Sequence, residues 1–156
     1  MLAWQRNWTL GTTGHFTKSL FPKVSKGPTI LNSEKLSHTE KRVLMRAASG
    51  HFPTKQYLTK RKLLEDELCS ACGVVENLDH ILRNCQHGFD IRFTQAGGVA
   101  LSDHSLNEIF NSEILLSEAA KVLLEYLKRK NSSHLKQGVP PPLSSDLETV
   151  MLDNIN

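Results

Sequence analysis

The chain has 156 residues, 39% of them apolar and 6% aromatic, with a net charge of +3. That composition allows one domain with a modest core and excludes a large catalytic barrel or sheet. It also excludes a spanning helix, because no run approaches the ~18 apolar residues that a span needs.

The start, Met1 to Trp8, lacks a basic stretch followed by an apolar one. The expectation is therefore an intracellular protein, nuclear or cytoplasmic, with reduced thiols. The net charge hides an asymmetry: residues 1–62 carry 12 Lys/Arg against two acids, Glu34 and Glu40, and residues 63–156 carry seven against 14. A basic first half points to a polyanionic partner.

Residues 1–32 read as extended or irregular, with Trp4, Trp8, Phe16, Leu20 and Phe21 as anchors between Gly11, Gly14, Pro22, Gly27 and Pro28. Ser37 and Glu40 have the spacing of a capping box. Val43, Leu44, Ala47 and Ala48 follow at helical spacing, Glu34 to Leu36 offer an earlier turn, and Gly50 supplies the stop. Thr54 can cap a second helix from Lys55 to about Leu64, and Asn77 a short one carrying Asp79, His80, Ile81 and Leu82. Gly97 and Gly98 mark a loop. The stretch 105–130 has the strongest helical period, through Leu106, Ile109, Phe110, Leu116, Ala120, Leu123, Leu124 and Leu127. Lys128, Arg129 and Lys130 suit its C-terminal end. From Asn131 onward Ser, Pro, Gly and Gln predominate, including Pro140 to Pro142, and the expectation is a disordered tail with at most a stray turn over 147–155.

The expected fold class is thus mainly α: an irregular segment 1–32, a helical domain 33–130 built around a Cys3His zinc knuckle at 69–85, and a disordered tail 131–156. The knuckle rests on Cys69-x2-Cys72-x7-His80-x4-Cys85, which uses all three cysteines of the chain. One tight turn can present Cys69 and Cys72 to a single ion, with Gly73 as the permissive residue, and a helix then returns His80 and Cys85. Three buried reduced cysteines would be the plainer explanation, but clustering beside a histidine favours a metal. The expected cofactor is one structural Zn2+, because a closed shell of four protein ligands leaves no position for substrate. His87 is a weaker candidate ligand, and Asp79 a candidate partner for the imidazole. His15, His38, His104 and His134 have no companions. Phosphate-binding glycine loops, His-Glu-x-x-His and Gly-x-Ser-x-Gly are absent, so no enzymatic activity is expected.

Ser49-Gly50-His51-Phe52, Tyr57-Leu58, Cys69-Ser-Ala-Cys72-Gly73 and Glu76-x-x-Asp79-His80-Ile81-Leu82-x-x-Cys85 together resemble the C-terminal region of arthropod non-LTR (LINE-like) retrotransposon polyproteins. Trp4-Gln5-x-x-Trp8 and Thr17-x-x-Leu20-Phe21-Pro22 are similar to the stretch just upstream in that family, and 105–130 to its closing helix. The family's Gly after Gly-His is missing here, where Phe52 follows His51. The resemblance implies a zinc-knuckle segment that follows a reverse transcriptase domain and helps hold element RNA or target DNA, without the catalytic domain itself.

The expected function is therefore a zinc-dependent nucleic-acid-binding module, its partner RNA or single-stranded or target DNA. Lys41, Arg42, Arg46, Lys55, Lys60, Arg61 and Lys62 would meet phosphates, and His51, with Phe52 and Tyr57, would stack on bases. The alternatives are a docking module, for instance for a reverse transcriptase domain, through the helix 105–130 and the proline tail, or a non-functional relic.

Overall fold

The Ser37 capping box forms: the Ser37 backbone N–H donates to Glu40 Oε2 at 2.8 Å and the Glu40 N–H donates to Ser37 Oγ at 3.3 Å. The helix it starts, α4 (His38–Ala48), buries Val43, Leu44, Ala47 and Ala48. It ends where Gly50 turns left-handed at φ 77°. The Gly50 N–H bonds Ala47 O at 3.0 Å and the His51 N–H bonds Arg46 O at 2.9 Å, the paired bonds of a Schellman stop. Glu34 to Leu36 are bends ahead of the cap rather than an earlier turn.

The computed structural model describes residues 2–23, 28–88 and 100–136. The Gly97-Gly98 loop and the tail from 137 onward, with its prolines and the 147–155 turn, lie outside the described residues. The chain divides into two units, residues 1–125 and 126–156. The fold is mainly helical, and no described helix is long and apolar enough to cross a membrane.

Among the described residues, three helices precede α4: α1 (Leu2–Leu10), α2 (His15–Leu20) and α3 (Thr29–Asn32). The expected irregular chain is therefore short helices, with Gly11, Gly14, Pro22 and Pro28 falling between or at their ends. Trp8 Nε1 donates to Phe21 O at 2.8 Å and Thr17 Oγ1 to Ala48 O at 3.1 Å, tying this region down. Trp4 anchors nothing, being 75% exposed.

After α4 come α5 (Lys55–Lys60), a π-helical turn (His80–Asn84), 3-10 turns at Gln86–Gly88 and Leu101–Asp103, then α6 (Leu106–Asn111) and α7 (Glu113–Lys136). α5 stops four residues short of Leu64, with Lys62 at a positive φ of 60°. The expected single helix 105–130 is broken at Ser112, whose φ of −106° and ψ of 126° are extended. Ser105 and Glu108 close a second capping box at the start of α6. α7 runs six residues past Lys130.

In the first unit, α2 packs on α4 and α6, and α3 on the same two helices. Leu20, Ile30, Leu44, Phe110, Leu116 and Leu123 form the fully buried centre. Phe21 and Phe110 meet edge to face at 6.4 Å. Ser33 Oγ donates to Glu113 Oε1 at 2.8 Å, and Lys35 Nζ lies 3.0 Å from Glu113 Oε2, which joins the start of α7 to the loop before α4. The π turn packs on Leu101–Asp103 through buried Ile81, Leu82 and Leu101. In the second unit, helical over Tyr126–Lys136, Lys130 sits over the Tyr126 ring at 5.8 Å and Ser132 Oγ donates to Lys128 O.

Candidate metal centre

The knuckle is a miniature hairpin. Leu68 and Val75 form an antiparallel bridge, the Cys69 N–H donates to Val74 O at 2.8 Å and the Glu76 N–H donates to Glu67 O at 2.8 Å. The turn closes when the Gly73 N–H bonds Cys69 O at 2.8 Å. It requires the left-handed φ of 67° at Gly73, where a Cβ would be strained even though it would meet nothing. Cys69 and Cys72 are thereby placed on one side of the turn.

The other two candidate ligands come from the helix that Asn77 starts. Asn77 Oδ1 accepts the His80 N–H at 2.8 Å, as its sequence position suggests. The turn His80–Asn84 then widens: the Cys85 N–H bonds His80 O at 2.8 Å, five residues back. A π turn of this kind accommodates an extra residue within a helix and recurs at functional sites. Here it lets His80 and Cys85 point to the same place, while Ile81 and Leu82 are buried in the core.

Donor atoms of Cys69, Cys72, His80 and Cys85 all lie within 4.8 Å of one another. Cys69 Sγ and Cys85 Sγ are 3.8 Å apart. A tetrahedron with ~2.3 Å metal–sulfur bonds has sulfur–sulfur edges of about 3.8 Å, whereas a disulfide is about 2.05 Å. Cys69, His80 and Cys85 are buried and Cys72 is half-buried, so the centre is largely shielded from water. The Gln86 N–H donates to Cys72 Sγ at 3.3 Å, and the His87 backbone amide donates to Cys85.

Burial above all, then bonding to Cys69 and the nearness of Cys69 and Cys72, push the Cys85 thiol up to about 12 against the pull of the His87 amide. A cation at the shared centre would reverse this, because it would stabilise thiolates directly. His87 contributes its backbone amide and leaves its ring exposed. Asp79 pairs with Arg83 at 2.8 Å, and Arg83 also reaches Ser102 O at 3.3 Å. The i, i+4 spacing of that pair could have been read from sequence.

The residues expected to meet nucleic acid divide by position. Lys41 and Arg42 lie in the first turns of α4, and Arg46 in its last. Lys41 Nζ bonds Leu31 O at 3.3 Å. Lys55 turns to the knuckle, with Nζ 2.7 Å from Leu68 O and 3.7 Å from Asp66 Oδ2. Exposed Lys60, Arg61 and Lys62 gather at the end of α5. Arg61 lies 5.5 Å from the centroid of the Tyr57 ring, and exposed His51 meets the same ring edge-on at 5.9 Å. Phe52 is buried and thus belongs to the core rather than to a stacking surface.

The sequence motif includes Glu76 but assigns it no role. Its carboxylate is buried, and Oε1 accepts the Lys55 N–H at 3.0 Å. No local pattern announces a contact between residues 21 apart in the chain.

No family model matches this chain, and neither a curated protein nor a solved structure does.

Proposed function

We propose that the chain is a zinc-centred, non-catalytic nucleic-acid-binding module, related to the region that follows the reverse transcriptase in non-LTR retrotransposons. The observation that carries the metal is the convergence of three sulfurs and an imidazole within 4.8 Å. Three soft thiolates and a nitrogen suit tetrahedral Zn2+ better than oxygen-seeking cations. With neutral His80 the loaded centre carries −1, and four protein ligands complete its shell. Zinc therefore supplies folding energy here and activates no water. Cys69 and Cys72 hold it from the hairpin, His80 and Cys85 from the helix.

Support for nucleic acid comes from Lys60, Arg61 and Lys62 at one helix end beside the His51–Tyr57–Arg61 ring contacts. Cations close to planar side chains match a backbone of phosphates with unpaired bases. The test is a salt titration of binding to a short unstructured RNA. With about five phosphates neutralised, log affinity falls with log salt at a slope near −4. Charge reversal by Lys60→Glu, Arg61→Glu and Lys62→Glu together makes that slope shallower by about 2. Unchanged binding and slope would refute the reading.

A docking role is the second reading, favoured by α1, where Trp4 is 75% and Leu10 67% exposed. The face of α7 that first suggested docking is committed to the core through Leu116, Ala119, Ala120 and Leu123. Salt-insensitive association with a protein partner distinguishes this role from the first.

A further inference from the structure

We infer that Glu76 and Lys55 are positioning residues that transmit occupancy of the metal centre to α5. The inference takes its metal from the proposed function.

α5 has six residues and buries none of them. An isolated helix needs ~12–15 residues to persist in water, and this one is only half-buried over Lys55 to Thr59. What holds it is its first turn. Thr54 Oγ1 accepts the Tyr57 N–H at 3.1 Å, a local cap. Four further links reach across to the knuckle: the Lys55 N–H to Glu76 Oε1 at 3.0 Å, the Gln56 N–H to Glu76 O at 3.2 Å, Lys55 Nζ to Leu68 O at 2.7 Å, and Lys55 Nζ to Asp66 Oδ2 at 3.7 Å. Asp66, Leu68 and Glu76 bracket Cys69 and Cys72.

The bracket has little stability of its own, because a two-stranded hairpin alone is marginal in water. Pinning Cys69 and Cys72 to the same ion as His80 and Cys85 fixes the hairpin against the buried Ile81–Leu82 turn. Leu68 O and the Glu76 carboxylate are then held where α5 needs them. Loss of the ion frees the hairpin, and with it the only non-local anchors of α5 among the bonds above. Tyr57, Lys60, Arg61 and Lys62 ride on α5 or its end, so metal and a polyanion bound there strengthen each other reciprocally. Lys55 acts in this as a tether rather than as a phosphate contact.

The experiment is amide hydrogen exchange on the full chain, with zinc and with chelator, in the wild type, Glu76→Met, which removes the side-chain acceptor, and Lys55→Met, alongside zinc affinity by competition with a chromophoric chelator. In the wild type, zinc slows exchange at Leu58 and Arg61, whose amides bond within α5 and its cap, by about tenfold or more. Both variants keep zinc affinity within about threefold and lose most of that gain. Equal protection with and without zinc in the wild type overturns the inference. So does a full zinc-dependent gain in Glu76→Met, and so does loss of zinc affinity in both variants, which would make the two residues builders of the centre. An RNA arm separates the two proposals. Wild type that gains protection yet binds RNA in neither state refutes nucleic-acid binding and leaves the relay standing. Binding that zinc strengthens about tenfold in the wild type, and less in Glu76→Met, supports both.

Discussion

Gly50 sits between the last turn of α4 and His51, and its φ of 77° is a region L side chains rarely adopt. A Cβ there would touch Phe16 Cδ1 at 3.4 Å, an ordinary contact, so backbone strain decides the outcome. Gly50→Ala is expected to lower stability by about 1–2 kcal/mol in chemical denaturation. Glu113 shows a charge effect at the same scale. Hydrogen bonds from Lys35 and Ser33 hold its carboxyl below the ordinary 4.5. A depressed folded value means that the contribution is present above the unfolded value and is lost as pH falls through the folded one. Glu113→Gln should therefore lose stability at neutral pH and show a flatter decline below pH 4.5 than the wild type, in acid titrations followed by circular dichroism. The group is on the surface, so the effect is modest.

At the scale of elements, local signals were read well and breaks within a continuous period were not. Ser37–Glu40, Gly50, Thr54, Asn77 and Gly73 each act through bonds spanning a few residues, so their roles are legible in a single window of sequence. The apolar phase of Ile109 and Phe110 continues in Leu116, Ala120 and Leu123, which disguises the break at Ser112. There Ser112 ends α6 and its carbonyl accepts the Leu116 N–H at 2.9 Å, opening α7. α1 to α3 were illegible for a different reason: each is too short to show a period between its breakers. Phe110 joins these elements, lying fully buried and edge-on to Phe21. Phe110→Ala is expected to cost about 3–5 kcal/mol, read as a lowered denaturation midpoint with unchanged denaturant sensitivity.

For the molecule as a whole, the clustering of the four donors was legible because spacing alone brings two sulfurs to one turn and two donors to the next helix. The anchoring of α5 was not, since Glu76 and Lys55 meet only after the hairpin has folded. Burial holds the proton on Cys85. On the proposed zinc reading, uptake must displace that proton, so binding would release protons and weaken as pH falls. Calorimetry of zinc binding in buffers of different ionisation enthalpy reads that release directly.

The most direct measurement is the metal content of the purified full chain, with Cys72→Ser as control and circular dichroism before and after chelation. One zinc per chain is expected, with its loss in Cys72→Ser and a fall in helicity on chelation of the wild type. Metal-free protein that refuses added zinc and keeps its full helical signal in chelator would contradict a fold organised on these four side chains.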